Sequence, residues 1–395
     1  MKNWLLLYLV FFRNGKINGY VYNMSKAYIS ETNIITALGQ GVSANIAAML
    51  EGKSGITLYY DKEISTQSFY AARVDNALLE SLDPEFTRFE KLILASINGI
   101  KNLKADLLKS PKTLLIFSTT KGNIDQVPSG KRVKLYDSCQ YISNYLGNPN
   151  KPLVVSNACI SGTVALILGK KLIESGTYKD ILVLGADIVS AFVLSGFQSF
   201  KALSEGACKP FDANRTGLSL GEGSAAVWLS SEKNDQNPAL FIAGGGISND
   251  ANHISGPSRT GDGLFFSINK AIIESETLGV KKEMIGYVSA HGTATPYNDE
   301  METKAINTAE LNHVPTNSFK GYLGHTLGAA GLIESAIGMY SMQQNILIPS
   351  LNYSAHGVTL PLNVIREKAE VDIQAMLKTS SGFGGCNAAL VIGKE

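Results

Sequence analysis

The sequence is poor in charge, in cysteine and histidine, and in long apolar runs, and each shortage removes a class of function. Charged residues make up only 17% of the chain, and 35 Lys and Arg against 34 Asp and Glu leave a formal net charge of +1. Nothing there supplies the concentrated positive charge that nucleic acid or an anionic membrane surface demands. The four cysteines, Cys139, Cys159, Cys208 and Cys386, form no C-x-x-C pair and no regular framework. They read as reduced thiols of a cytoplasmic protein, which argues against disulfide stapling. Five histidines, His253, His291, His313, His325 and His356, show no short-range pairing with each other or with a cysteine, so no metal site is expected. The N-terminal run Trp4 to Phe12 is nine apolar residues long, short of the roughly 20 that a spanning helix needs. The following "RNGKINGYVYN" lacks a small-x-small cleavage site. Residues 1–23 read as an upstream extension without a part in the chemistry, and Met24 opens a first strand in "MSKAYISETNIITALG".

What the chain does have is apolar content, 45% over 395 residues, enough for a large core in two domains or one duplicated fold. Short β-branched runs alternate with amphipathic stretches: "TLLIFSTT", "LVVSNA", then "SGTVALILGKKLIES", then "DILVLGAD". Strand, helix and strand at this spacing predict crossover units, hence an α/β fold with a largely parallel sheet. The polar stretch "SSEKNDQNP" (230–238) separates two portions of similar rhythm. It divides the chain into 24–236 and 237–395, without an exact repeat between them. Later strands are expected in "ALFIAGGGISND", "MIGYVS", "MQQNILIP" and "NAALVIG". "GGGISND" is not a nucleotide loop, since no G-x-G-x-x-G follows a strand there.

Three turns hold candidate chemistry. In "VVSNACISG" Cys159 sits where a strand breaks into a helix starting near Ser161. The positive end of that helix would favour a thiolate over the unperturbed thiol of pKa about 8.5. An inert buried cysteine fits the same stretch. "SAHGTATPYND" places His291 directly after a strand, in a turn with Gly292, Thr293 and Thr295, and "KGYLGHTLGAAGLIE" places His325 after Gly324, ahead of a helix. Two histidines and a cysteine on three glycine-lined turns point to one convergent site. In "SSGFGGCNAAL", glycines flank Phe383. That loop is either a tight hairpin or a source of backbone N–H donors for an oxyanion.

The ordered set "NACISG", "KPFDANRTGLSLGEGS", "SNDANHISGPSRTGDG", "HGTATPYNDEMETKA", "KGYLGHTLGAAGLIE" and "GFGGCNAALV" resembles the β-ketoacyl-[acyl-carrier-protein] synthases of the elongating Cys-His-His type, over Met24 to the C-terminus. The resemblance implies a thiolase-like fold of two similar halves, each with a mixed, mainly parallel sheet, layered α-β-α-β-α. It implies Cys159 as the acyl-accepting nucleophile, and His291 and His325 as the pair that hydrogen-bonds the malonyl thioester during decarboxylation. Lys320 and Glu334 match the supporting pair. Thr293 and Thr295 match the contacts to the carrier's phosphopantetheine arm, and Phe383 the gating residue whose N–H joins that of Cys159 in an oxyanion hole. No bound cofactor is implied. The implied partners are an acyl carrier protein and a second subunit, in a homodimer or a heterodimer with a related chain. Asp212 with Arg215 is expected to form a loop ion pair, and Asp299 with Glu302 to brace the turn after His291.

The chain departs from the family pattern at Thr216, usually aspartate, at Ser381, often phenylalanine, and in the short segment 126–153. That last departure leaves fatty-acid elongation and specialised polyene or polyketide assembly both open. "GKRVK", with Lys131, Arg132 and Lys134, is a candidate docking patch for an acidic carrier. A thiolase-like enzyme acting on coenzyme A esters, for which Cys386 speaks, and a non-catalytic chain-length-factor-like partner are the competing readings.

Overall fold

A computed structural model describes residues 16–17, 20–21, 25–234, 238–251 and 256–395. Most of the extension 1–23 and the boundary expected at 236/237 lie outside the described residues.

The main sheet has eleven strands among the described residues, ten of them in one continuous path and the short Gly39–Gln40 paired beside the first. In the first portion the path strands are β1 (Ala27–Thr36), β2 (Thr113–Ser118), β3 (Leu153–Val155), β4 (Asp180–Asp187) and β5 (Gly223–Ser230). In the second they are β6 (Leu240–Asn249), β7 (Ile285–Ser289), β8 (Thr316–Asn317), β9 (Ala375–Gly382) and β10 (Cys386–Lys394). The spatial order is β8-β7-β9-β10-β6-β1-β5-β4-β2-β3. Both portions follow one topology. Numbering strands within each portion, the order is 3-2-4-5-1, with parallel ladders 3/2 and 2/4 and antiparallel ladders 4/5 and 5/1. The portions meet through a short antiparallel ladder, Phe241 against Tyr28 and Ile242 against Ala27. We read them as two copies of one unit.

The sheet is therefore α/β and mixed, and its strand directions follow from the connections. Parallel neighbours need a crossover element, and strands joined by a tight loop must run antiparallel. Helix α3 (Ser161–Glu174) links β3 to β4, and α7 (Ala330–Gln344) links β8 to β9. By contrast β9 turns into β10 over Phe383, Gly384 and Gly385, and the two glycines take φ of 86° and 71°. Met342 to Gln344, expected to begin a strand, instead finish α7, and the strand there is only Ile346–Leu347.

Three apolar layers hold these elements together. The first portion's outer face packs against α1 (Arg88–Asn98) and α2 (Leu135–Tyr145), through Phe89, Leu92, Leu115 and Ile142. The second portion's outer face packs against α5 (Asp262–Glu276) and α6 (Pro296–Thr308), through Leu264, Ile268 and Met301. Between the sheet's two halves lie α3 and α7, through Leu166, Ile167, Leu332 and Ile337. Helix α7 is apolar on nearly every side, as a helix enclosed by protein must be. The order α-β-α-β-α expected from the resemblance is thus the order found.

The two central helices touch at their first turns. A Cβ at Gly162 would lie 2.6 Å from the backbone N of Leu332, and one at Gly331 would lie 2.8 Å from the backbone N of Thr163. Each helix thus offers its second residue as the glycine that lets the other's backbone in. Gly162→Ala and Gly331→Ala are each expected to destabilise the fold by about 1–3 kcal/mol through this overpacking. Gly196→Ala, where a Cβ meets nothing within 4 Å, should change little. Thermal denaturation of the three variants checks this, and equal melting temperatures would contradict it.

Candidate active site

The corner before α3 is built by local hydrogen bonds. Ala158 adopts φ 44°, the Ser161 hydroxyl donates to the Ala158 carbonyl at 2.7 Å, and the Asn157 N–H donates to the Ser161 hydroxyl at 2.8 Å. Cys159 is thereby aimed at the C-terminal portion with 8% of its surface exposed. The Phe383 N–H donates to its sulfur. The structure reverses one expectation: burial pushes the Cys159 thiol up to about 12, nearby Cys386 and Asp187 add to this, and Lys320 only partly opposes it. Desolvation of a thiolate outweighs what the helix terminus and one hydrogen bond supply. Cys159 rests as a neutral thiol.

His291 follows β7 in a turn whose amides are taken up by two carboxylates. Glu302 accepts from the N–H groups of His291 and Gly292, both at 2.7 Å, and Asp299 accepts from Thr293 at 3.0 Å and Ala294 at 3.2 Å. The two acids brace this turn as expected. His325 follows Gly324, at φ 64°, where a Cβ would lie 2.3 Å from the Leu220 carbonyl, so only glycine fits. The His325 N–H donates to Ser219 O at 2.7 Å. The two imidazoles stand edge to face, with centroids 5.2 Å apart and planes at 82°.

Behind them runs a chain of buried charge. The Lys320 ammonium reaches Glu334 at 2.7 Å, the His291 carbonyl at 2.5 Å and His291 Nδ1 at 3.3 Å. An ammonium only donates, so Nδ1 accepts and the ring proton of neutral His291 resides on Nε2. Lys378 of β9, with no exposed surface, meets the other Glu334 oxygen at 2.7 Å. The sequence reading missed Lys378. Its signal was a lysine inside "AMLKTSSG", an otherwise uncharged strand of a doubly covered sheet, where a cation must find a partner. Burial lowers the affinity of both histidines for protons well below the ordinary value, as do Lys320 and Lys378. Both rings are neutral.

Cys159, His291, His325, Thr293, Thr295 and Phe383 line one cavity of about 430 Å³. Lys320 and Glu334 lie beneath it, buried and out of reach of a ligand. The hydroxyls of Thr293 and Thr295 are 2.9 Å apart. Phe383 is 37% exposed, stacked on Phe197 (5.5 Å, 29°) and edge-on to Phe200 (5.3 Å, 70°), which sit on and just beyond α4 (Ala191–Ser199). Cys386 lies outside this lining, its sulfur near the carbonyls of Phe383 at 3.5 Å and Asn157 at 3.9 Å.

Two other expectations change. Arg215 does not pair with the Asp212 carboxylate, which accepts the N–H groups of Asn214, Ser354 and Ala355. It approaches Glu300 at 3.5 Å and Asp299 at 3.9 Å instead. In the candidate docking patch, Arg132 forks onto the buried Glu90 through two 2.6 Å contacts and lies over Tyr141, while Lys131 pairs with Glu85 at 3.3 Å. Those charges are satisfied internally, and of the three cations Lys134 is the exposed one without an ion-pair partner among the described residues. Among the described residues no group of three or more His, Cys, Asp or Glu side chains is placed to hold a metal, and no helix is long and apolar enough to cross a membrane.

A thiol facing two neutral imidazoles, between two copies of one α/β unit, defines a condensing type of site, in which carbon nucleophiles are made and joined at thioesters. Comparison with known proteins agrees. Residues 138–235 match the β-ketoacyl synthase N-terminal domain and residues 240–354 its C-terminal domain. The chain belongs to the β-ketoacyl synthase family. It is 27% identical to a protein of Schizosaccharomyces pombe named as a mitochondrial 3-oxoacyl-[acyl-carrier-protein] synthase, over 94% of this chain and 99% of that one. It is 30% identical to the 3-oxoacyl-[acyl-carrier-protein] synthase 2 of Staphylococcus aureus, over 60% of each chain. Among solved structures, the ketosynthase ApeO in complex with its chain length factor ApeC, from Xenorhabdus doucetiae, superposes with a TM-score of 0.84 at 27% identity, covering 94% of this chain and 98% of that one. The ishigamide ketosynthase/chain length factor gives 0.83 at 25%, covering 94% and 100%.

The buried histidines set a stability trend. The unfolded chain protonates them near pH 6.5, whereas the folded chain does so only well below it. The unfolded state therefore binds more protons as pH falls through 6.5, and stability declines on acidification. Melting temperature should be level above about pH 7 and fall towards pH 5.5, with a shallower fall in the His291→Gln/His325→Gln double variant. A melting temperature that rises over that interval would contradict the neutral pair.

Proposed function

We propose that this protein is a β-ketoacyl-[acyl-carrier-protein] synthase, an acyltransferase that joins an acyl thioester to malonyl carrier by decarboxylative Claisen condensation, in fatty acid or specialised polyene or polyketide elongation. The observation that carries this reading is the convergence of Cys159, His291 and His325 on one cavity, with both imidazoles neutral.

The geometry suggests the sequence of events. A thiol pushed up to about 12 by burial is almost wholly protonated at pH 7. Cys159 is therefore inert until an acyl thioester enters, when its proton passes to a neutral imidazole as sulfur attacks the carbonyl. The N–H groups of Phe383 and Cys159 receive the oxyanion. The carrier thiol leaves with the proton, and the acyl group stays on Cys159. Malonyl thioester then takes its place. The Nε2–H of His291 and the ring of His325 bind its carbonyl oxygen, carbon dioxide departs, and the enolate carbon attacks the acyl–Cys159 carbonyl; the C–S bond breaks, the 3-oxoacyl product stays on the carrier, and the expelled Cys159 thiolate takes up a proton from water to return to the thiol.

Thr293 and Thr295 fit the polar part of a phosphopantetheine arm, and Phe383, pinned by Phe197 and Phe200, fits a gate beside it. Acyl carrier protein is the partner we assign, the substrates being carried on its phosphopantetheine arm with no bound cofactor. The protein works as a homodimer or beside a related subunit. Residues 24–236 supply the nucleophile and 237–395 the histidines. Four unpaired cysteines suit a reducing compartment, and we assign the cytoplasm. The coenzyme A thiolase reading loses its support, because Cys386 faces backbone carbonyls outside the cavity.

Intact-mass measurement tests this. Acyl carrier donors should add one acyl mass to the wild type and none to Cys159→Ala. His291→Ala and His325→Ala should keep the acyl adduct and lose about 10²–10⁴-fold in malonyl decarboxylation. An adduct that persists in Cys159→Ala, or forms only from coenzyme A esters, would overturn the proposal.

A further inference from the structure

The buried charge behind the histidines contains a group that the reaction above does not use. Lys378 lies on the face of β9 that looks into the central helical layer, the same face on which Ser380 meets Thr163 of α3 at 2.8 Å. Leu377 and Thr379 look the other way, and Thr379 bonds Glu302 of α6 at 2.6 Å. Besides Glu334 at 2.7 Å, the Lys378 ammonium donates to the carbonyls of Thr379 at 2.7 Å, Ser289 at 3.2 Å and Ala290 at 3.3 Å. Ser289 and Ala290 are the two residues directly ahead of His291.

These contacts close a ring. Lys378 holds the carbonyl before His291 and one oxygen of Glu334. Glu334 holds Lys320 through its other oxygen, and Lys320 holds the carbonyl and Nδ1 of His291. A fully buried lysine costs several kcal/mol in desolvation, so a hydrophobic residue of similar length would be the default at such a strand position. The ring gives the charge a task. We infer that Lys378 is a positioning residue of the condensing site, gripping the end of β7 and Glu334 together so that Lys320 stays against His291 Nδ1 and the imidazole keeps its proton on Nε2, aimed into the cavity. This rests on the condensing role proposed for His291.

The charged and titratable groups around Lys378 are Glu334 from α7, Lys320 from the short helix Lys320–Leu323, Glu302 from α6, and the two imidazoles. In direct contact, two ammonium groups share the single Glu334 carboxylate, and both histidines feel Lys378 as a charge opposing their protonation. Removing it leaves Lys320 and Glu334 as a neutral pair, frees one Glu334 oxygen to pull Lys320 off His291, and makes both rings easier to protonate.

The experiment compares wild type, Lys378→Met, Lys378→Gln and Lys378→Arg as full chains. The first readout is ¹⁵N-histidine NMR across pH 5 to 8, which reports tautomer and protonation without any turnover. The second is malonyl carrier decarboxylation against pH, and the third is Cys159 acylation by intact mass. The Met and Gln variants should shift the His291 protonation midpoint to higher pH and mix its tautomers. They should lower kcat for decarboxylation about 10–100-fold, as expected for a misplaced reacting group, and leave acylation within about threefold of wild type. Lys378→Arg should recover most of the loss. If Met fails to fold, Gln, one atom shorter than lysine, keeps a hydrogen-bond donor without the charge and decides the matter alone. Unchanged histidine resonances and an unchanged pH profile in a folded variant, with only a lower melting temperature, would overturn the inference. If wild type itself does not decarboxylate malonyl carrier, the condensing role falls, while the NMR readout still decides whether Lys378 sets the His291 tautomer.

Discussion

The site depends on the contact between the first turns of α3 and α7. Cys159 precedes one helix and His325 the other, so the cavity they line is built from both portions of the chain. Gly162 and Gly331 let the two backbones approach closer than any Cβ permits. The Asp187 carboxylate bonds the same junction from the side, accepting from Thr119 and Thr120 of the first portion and from Gly328 of the second, at 2.7 to 3.1 Å. The duplicated topology makes this meeting systematic. The crossover helix of each copy lies in the central layer, so the strand-to-helix corners of both copies arrive at one place.

Burial then sets the chemistry, and it acts in two directions. It pushes the Cys159 thiol up and the imidazoles down, because in each case the charged form is the one that loses its water. The result is a site with no net charge on Cys159, His291 or His325. Charge is confined to the layer beneath, where Lys320, Glu334 and Lys378 satisfy one another. The cavity side of the site thus carries hydrogen-bonding groups, and the fixed charges lie behind it.

Several features were legible in the residues. The strands of the first portion, the start of α3 at Ser161, and the hairpin at Phe383 all follow from local pattern, because strand and helix periods and glycine conformations are local properties. The convergence of Cys159, His291 and His325 was legible from their placement on glycine-lined turns and from the ordered motifs. Lys378 was not, because the cost of a buried lysine is visible only when its partners are known, and Glu334 lies 44 positions earlier in the chain. Arg132 read as a free cation for the same reason, since Glu90, its partner, belongs to another helix.

By itself the sequence determined the α/β class and the three turns on which Cys159, His291 and His325 meet. These depend on residue type and short-range spacing. Tertiary structure alone decided that Thr379 bonds Glu302 while Lys378 pairs with Glu334. It also decided that the thiol rests neutral. Desolvation and buried ion pairing are sums over everything packed around a group, and most of that packing comes from residues far away along the chain.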